Sequence, residues 1–127
     1  MHQYDQAGVL VYASPDCWVK ASLEYELDGP SKLGAVVTNH GYSDWSFQDF
    51  RAERKAVRVQ IRKTGQDIEV LFADPASEDW SLVRVAHLAC DVNVPLDGGL
   101  YACSPKDAGF RAEFSLFRID LLEPRTP

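Results

Sequence analysis

The sequence predicts an all-β fold, a sandwich or barrel of antiparallel strands. Short segments alternate apolar and polar residues, as strands do when one side faces a core and the other faces solvent. Turn-forming residues separate these segments, and no window longer than about ten residues shows helical periodicity. Together these observations predict strands over residues 6–13, 17–27, 32–38, 43–48, 56–63, 68–73, 80–88, 100–104 and 110–120.

The second predicted strand alternates cleanly. Its apolar side carries Val19, Ala21, Leu23 and Tyr25. Its other side carries Trp18, Lys20, Ser22, Glu24 and Glu26. Because successive side chains of a strand point to opposite faces, we expect the apolar set to face the core. We therefore expect any functional site to lie on the second, polar side.

The segments between the predicted strands have turn chemistry. Ser14-Pro15-Asp16 follows the first strand, and both Pro and Asp favour turns. Asp28-Gly29 is among the strongest short signals for a β-hairpin. Asn39-His40-Gly41 and Thr64-Gly65-Gln66-Asp67 end the third and fifth strands in the same way. These turns predict that successive strands pair as neighbours.

The length and charge of the chain restrict its function. At 127 residues it is predicted to form a single domain, residues 1–127. Its net charge of −6 argues against a nucleic-acid partner and against anionic membrane surfaces. No apolar run approaches the roughly 20 residues of a membrane span, and the N-terminus lacks the features of a signal peptide. These features predict a cytoplasmic protein with no nucleic-acid or membrane partner.

The cysteines and histidines predict neither a metal site nor a cofactor. Cys17, Cys90 and Cys103 are an odd number at wide spacing, and no CxxC pair occurs. The three histidines are scattered along the chain. We therefore expect reduced, mostly buried thiols and no zinc site.

Five segments resemble one family, in order along the chain. They are YDQAGVLVYASPDCWVKASLEYELDG, LGAVVTNHGYSDWS, VRVQIRKTGQDIEVLFA, DWSLVRVAHL and LYACSPKDAGFRAEFSLFRI. This series is similar to a domain-of-unknown-function family also called "regulation of enolase protein 1-like". The resemblance implies a concanavalin A-like lectin/glucanase fold, a jelly-roll sandwich of two packed antiparallel sheets.

The beginning of the chain differs from the usual pattern of this family. Members carry further strands before the YDQAG segment, whereas this chain begins at that segment. The resemblance implies that N-terminal strands of the sandwich are missing, so that a sheet edge lies open. Because open edges pair with other chains, a homodimer through this edge is predicted.

The polar side of the second strand predicts a ligand site. Trp18, Lys20 and Glu24 lie on it, and residues two apart on one face are roughly 6.5–7 Å apart. Arg84 is expected either to solvate its own strand or to reach the ligand from a facing strand. Further residues expected to rim the same face are His40, Tyr42, Asp44 and Trp45.

These residue types are typical of sugar binding. An aromatic ring stacks on the apolar face of a sugar, while carboxylate and amine groups bind its hydroxyls. The site is therefore predicted to bind a carbohydrate or another polar small molecule, and the lectin/glucanase resemblance has the same implication. In the alternative interpretation, Lys20 and Glu24 form an ion pair on a solvated sheet, and Trp18 and Trp45 belong to the core.

The carboxylates do not match the catalytic pattern that the resemblance implies. Glycoside hydrolysis needs two carboxyl groups about 5–9.5 Å apart, and Glu24 and Glu26 lie at about that separation on one face. Glucanases of this fold, however, carry an E-x-D-x-(x)-E series on one strand. Here Asp28 enters the turn and no third Glu follows. We therefore predict a non-catalytic binding domain, with a protein-interaction or regulatory domain acting on a metabolic partner as the alternative.

Overall fold

Eight antiparallel strands make up the fold of the computed structural model, which describes residues 6–26, 29–50, 56–91, 93–103, 114 and 117–120. None of these residues is helical, and none belongs to a helix that could cross a membrane. In chain order the strands are β1 (Gln6–Ser14), β2 (Cys17–Glu24), β3 (Ser31–Asn39), β4 (Tyr42–Phe50), β5 (Arg58–Thr64), β6 (Asp67–Ala73), β7 (Ser81–His87) and β8 (Asp97–Cys103).

The strands form two sheets. The larger sheet has the order β4-β3-β2-β1-β8, and the smaller has the order β5-β6-β7. Every pair within these sheets is antiparallel. The predicted all-β fold of two antiparallel sheets is therefore confirmed.

The core lies between the two sheets. Val19 and Ala21 of β2 are buried there, as the alternation of this strand predicts. They belong to one apolar cluster with Ile68 and Val70 of the smaller sheet and with Leu88, which follows β7. Each aliphatic side chain of this size that is fully buried stabilises the fold by roughly 1.5–3 kcal/mol. The cluster therefore holds the sheets face to face.

The side of the larger sheet that is turned away from the smaller sheet is its outer face. Because neighbours in antiparallel strands share a face, strand register decides which side chains meet there. Trp18, Lys20 and Glu24 of β2 lie on the outer face, opposite in direction to the buried Val19 and Ala21. The polar side predicted from the sequence is thus available for a ligand.

Two predictions about strands need correction. β1 is not an edge strand, because it lies between β2 and β8; within the described residues the edges are β4 and β8, and β5 and β7. The open edge expected beside the first strand is therefore not at β1. The homodimer expected to form through an open edge stays a prediction.

The ninth predicted strand, over residues 110–120, is wrong where the structure describes it. Phe114 and residues 117–120 have no strand conformation, and the remainder lies outside the described residues. Alternation produces a strand only where a neighbouring strand supplies hydrogen bonds, and no described strand pairs with these residues.

Candidate functional site

A cleft of about 210 Å³ lies on the outer face, and we call it the outer cleft. One side of it is polar and the other is aromatic. The polar side is formed by Gln6, Lys20, Glu24 and Lys32. The aromatic side is formed by Trp45 and Phe47 of the edge strand β4. Polar and aromatic groups from four strands therefore line one depression.

Small residues form the floor of the outer cleft. Ser22 of β2 is paired with Gly34 of β3, and Gly34 is paired in turn with Phe47 of β4. A Cβ atom on Gly34 would overlap the backbone oxygen of Ser46 and lie 3.0 Å from Cα of Phe47. The close approach of β4 to β3 thus requires glycine here, and the missing side chain leaves the depression open.

Strand register assembles the polar side. Glu24 is paired with Gln6 on β1 and with Lys32 on β3, so three polar side chains lie in one row across the sheet. Tyr101 of β8 is paired with Gly8 of β1. Because Gly8 has no side chain, the Tyr101 phenol has room to extend over β1 toward β2.

A hydrogen-bond network fixes these side chains. The Lys20 amine donates to the Gln6 Oε1 and to the Tyr101 hydroxyl, both at 3.0 Å. The Tyr101 hydroxyl donates to the Gln6 Oε1 at 2.7 Å, and the Gln6 Nε2 donates to the Glu24 Oε1 at 3.5 Å. The Lys20 amine also lies 4.6 Å from the centre of the Tyr101 ring. The polar side is therefore positioned before any ligand arrives.

Partial burial shifts the acid–base properties of this network. Burial lowers the pKa of the Lys20 amine, against the opposing effect of Cys103 and Glu24. Burial, followed by the negative charge of Glu26, raises the pKa of the Glu24 carboxyl. Burial also raises the pKa of the Tyr101 phenol. Polar groups that are partly removed from water form stronger hydrogen bonds with a ligand than fully solvated groups do.

The aromatic side presents two neighbouring rings that are tilted relative to each other. The centres of the Trp45 and Phe47 rings are 4.7 Å apart, with 36° between their planes. The Lys32 amine lies 5.5 Å from the centre of the Phe47 ring and forms an ion pair with Asp49. Trp45 is 54% exposed and Phe47 is 52% exposed, so both rings are open to a ligand.

Trp18 lies beside the outer cleft without lining it. It is on the outer face, its indole Nε1 donates to the Pro15 oxygen at 3.2 Å, and its ring centre lies 6.0 Å from the Lys20 amine. Since Trp45 is also on the outer face, the alternative interpretation that both tryptophans belong to the core is wrong.

Three other residues of the predicted site, His40, Tyr42 and Asp44, lie away from the outer cleft. His40 is in the turn between β3 and β4 with φ of 53°, and it lines a different cleft. Tyr42 is 82% exposed at the start of β4, paired with Asn39. Tyr42 and Asp44 differ by odd numbers from Trp45, so the pleat turns them to the opposite face of β4. The expectation that they rim the same face is therefore not met.

Arg84 braces the two sheets on the side opposite the outer cleft. Its guanidinium forms an ion pair with the Asp44 carboxylate at 3.2 Å and donates to the Asp44 backbone oxygen at 3.0 Å. It also donates to Ser46 Oγ at 3.3 Å and to the Ala35 backbone oxygen at 3.4 Å. Only 13% of its side chain is exposed. Arg84 does reach across from a facing strand, but to β3 and β4 rather than to the outer cleft.

Sequence reasoning missed four residues that build the site. Phe47 shares the face of Trp45 two positions along β4, so alternation alone is sufficient to add it. Placing Lys32 and Gln6 in the site requires the register of β2 with its two neighbouring strands. Tyr101 required the pairing of β8 with β1, which no local pattern indicates. Among the described residues, no three His, Cys, Asp or Glu side chains form a group that could hold a metal ion.

Comparison with known proteins identifies the family. The family described as "Protein of unknown function (DUF1349)" matches residues 1–121. The chain belongs to this family. It is 33% identical over 114 residues to "Regulation of enolase protein 1" of Saccharomyces cerevisiae, covering 88% of this chain and 54% of that protein. This DUF1349 domain therefore spans about half the length of the curated relative it matches.

Solved structures confirm the fold. A crystal structure of a functionally unknown protein from Saccharomyces cerevisiae superposes with a TM-score of 0.70 at 28% identity, over 83% of this chain and 54% of that chain. A GH43 protein from Bacillus licheniformis superposes with a TM-score of 0.65 at 17% identity, over 80% of this chain and 21% of that chain. The second likeness concerns the fold alone. The expected family and its sandwich of two antiparallel β-sheets are thus confirmed.

Proposed function

We propose that this DUF1349 domain binds a carbohydrate, or a related polar small molecule, in the outer cleft and does not catalyse a reaction on it. The observation that carries the proposal is the arrangement of the outer cleft, where exposed aromatic rings face a fixed network of polar groups. A sugar ring has apolar C–H faces and polar hydroxyl edges, so it matches both sides at once.

The contacts of such a ligand follow from the lining residues. The C–H face of a sugar ring would stack on Trp45, which is 54% exposed. Its hydroxyls would donate to Glu24 and accept from Lys20. The cleft of about 210 Å³ is smaller than the roughly 300–1,000 Å³ of pockets for drug-sized ligands, which suits one sugar ring, free or within a chain.

The carboxylates of the outer cleft favour binding over hydrolysis. Glycoside hydrolysis needs a pair of carboxyl groups across the scissile bond. Among the described residues that line the outer cleft, Glu24 is the one carboxylate. Glu24 also accepts from Gln6, which suits a residue that orients a ligand. The comparison with the GH43 protein concerns the fold and implies no activity for this chain.

Calorimetric titration tests the proposal. A panel of neutral, acidic and amino sugars and short oligosaccharides is titrated into the wild type and into three variants. Trp45→Ala and Glu24→Gln are expected to weaken binding by roughly fivefold or more, since each loses a contact worth at least about 1 kcal/mol. Tyr42→Ala is the matched control, because it removes an exposed aromatic ring from the other face of β4. No binding by any member of the panel would overturn the proposal.

A protein-interaction or regulatory role is the second candidate. Tyr42 and Trp45 are exposed large side chains on the edge strand β4, a strand position that can pair with another chain. The curated relative is named for the regulation of enolase, so a metabolic enzyme is the partner class to test. Sedimentation with purified enolase tests this role. Tyr42→Ala would weaken protein binding along β4 but leave sugar binding intact, which separates the two candidates.

We also propose that this chain forms a homodimer and that it is located in the cytoplasm. Exposed edges such as β4 are the available surfaces for a second copy of this chain. Sedimentation velocity over a range of concentrations tests the homodimer, and a monomer at every concentration would contradict it. Cell fractionation tests the location.

A further inference from the structure

A second cleft, of about 310 Å³, contains two cysteines. We call it the thiol cleft, and it lies where the β1–β2 turn, the β3–β4 turn and the segment after β7 meet. It is lined by Ser14, Asp16, Cys17, His40, Cys90 and Val94, among others. Cys17 and Cys90 are 73 positions apart in the sequence, and the spacing of the cysteines contains no signal that they meet.

Hydrogen bonds explain how the fold brings the two cysteines together. Trp18 is paired with Thr38 in the antiparallel pair of β2 and β3. Because the two strands run in opposite directions, Cys17, just before Trp18, lies beside Asn39, just after Thr38. The Asn39 side chain donates to the His87 backbone oxygen at 2.8 Å and accepts from the Ala89 backbone N–H at 2.5 Å. Cys90 is the residue that follows. The end of β3 therefore holds the segment after β7 against the start of β2.

A further hydrogen bond and the burial of both thiols fix the pair. The Gln66 Nε2 donates to the Cys90 backbone oxygen at 2.8 Å. Both cysteines are buried members of the core cluster and line the same thiol cleft, and the Cys90 thiol is near enough to influence the Cys17 thiol electrostatically. Burial, and then the neighbouring Cys90, raise the pKa of the Cys17 thiol. Cys103 is paired with Gln6 on the outer face, away from this site.

We propose that Cys17 and Cys90 form a reversible disulfide bond on reaction with a small disulfide oxidant such as oxidised glutathione. One protein thiolate attacks the glutathione disulfide, forming a mixed disulfide and releasing one glutathione thiolate. The second protein thiolate attacks the protein sulfur of the mixed disulfide and releases the second glutathione. The two cysteines lose two protons and two electrons, and the oxidant becomes two reduced glutathione molecules.

The bond would connect the larger sheet with the segment that follows the smaller sheet. It closes the chain between Cys17 and Cys90, which restricts the unfolded chain and stabilises the folded state. The thiol cleft supplies the entry for the oxidant, since its other lining residues include the exposed His40. This site is independent of the outer cleft, because Cys17 points to the core and Lys20 to the outer face.

Mass spectrometry of the intact, reduced protein tests the proposal. The protein is incubated with oxidised glutathione at slightly alkaline pH, where more of each thiol is deprotonated. We expect the loss of two hydrogen atoms, a linked pair of peptides containing Cys17 and Cys90, reversal by dithiothreitol, and a higher unfolding midpoint for the oxidised form. Reaction should accelerate as the pH rises, because the pKa of Cys17 is raised.

Two variants sharpen the result. Cys103→Ser should form the same cross-link as the wild type, and Cys90→Ser should stop at a stable glutathione adduct on Cys17. Peptide mapping of the wild type decides the question even if a variant fails to fold. Recovery of unlinked Cys17 and Cys90 after oxidation, or a cross-link through Cys103 instead, would overturn the proposal.

Discussion

The Lys20 amine lies 3.0 Å from the Tyr101 hydroxyl and so connects β2 with β8 across β1. Both groups also bind the same oxygen of Gln6. Because this contact joins residues on strands, the sheet rather than a mobile loop determines the distance between the polar side of the outer cleft and Trp45. Sites on strands hold their geometry better than sites on loops do.

Tyr101→Phe should loosen this network. The variant keeps the ring and removes the hydroxyl, so that Lys20 and Gln6 each lose one hydrogen-bond partner. We expect a loss of about 1 kcal/mol in the free energy of unfolding, measured by urea denaturation, and weaker binding of any sugar that binds the wild type. Tyr42→Phe is the control, since its hydroxyl is on an exposed ring. Equal stability of the two variants would count against a structural role for the network.

Arg84→Met should weaken the connection between the two sheets. Arg84 donates to two backbone oxygens and one hydroxyl, and Met leaves these acceptors without it. A hydrogen bond from a charged donor contributes roughly 1.5–3 kcal/mol, so we expect a loss of about that size by urea denaturation. Arg62→Met, at an exposed position of β5, should change stability by less than about 0.5 kcal/mol. A small effect of Arg84→Met on stability would show that these contacts contribute little to holding the two sheets together.

Gly34→Ala should destabilise the larger sheet. The added Cβ would overlap the backbone oxygen of Ser46, so β3 and β4 must move apart. Such overpacking costs about 1–3 kcal/mol. Gly99→Ala is the matched control on β8, because its Cβ would meet no atom within 4 Å. Thermal unfolding compares the two variants, and similar midpoints would contradict the close approach of β4 to β3.

Glu24 should make stability depend on pH. Burial raises the pKa of Glu24, so the folded state holds this proton more tightly than the unfolded state does. The stabilisation from the bound proton is complete below the unfolded pKa and is lost as pH rises through the folded pKa. The free energy of unfolding of the wild type minus that of Glu24→Gln should therefore fall as the pH rises from the unfolded-state pKa of Glu24 through its folded-state pKa. Urea denaturation at a series of pH values measures the difference; a difference that rises with pH would refute the burial argument.

The sequence predicted the parts of the fold that local patterns determine. Alternation in β2 correctly separated Val19 and Ala21 from Lys20 and Glu24, because a strand has a period of two. The same rule, applied to β4, separates Asp44 from Trp45, and grouping these two residues in one site disregarded it. Their misplacement was thus avoidable from the sequence.

The remainder of the site depended on long-range pairing. Tyr101 reaches the site only because β8 pairs with β1, and the two strands are about 90 positions apart in the chain. Arg84 was expected either to solvate its own strand or to reach a ligand from a facing strand. It contacts β3 and β4 instead, and only the order of the strands decides which strands it meets. Residues on one hairpin are predictable from the sequence, whereas contacts between hairpins require the topology.

Nuclear magnetic resonance of the tryptophan indole N–H groups tests sugar binding most directly. Trp45 lines the outer cleft, whereas Trp80 stacks on Arg58, 4.8 Å from its guanidinium, outside that cleft. Trp→Phe variants assign the signals, and the wild type is then titrated with the sugar panel. Binding in the outer cleft predicts that the Trp45 signal shifts with sugar concentration while the Trp80 signal stays in place. A Trp45 signal that no sugar moves, or a shift of Trp80 alone, would contradict it.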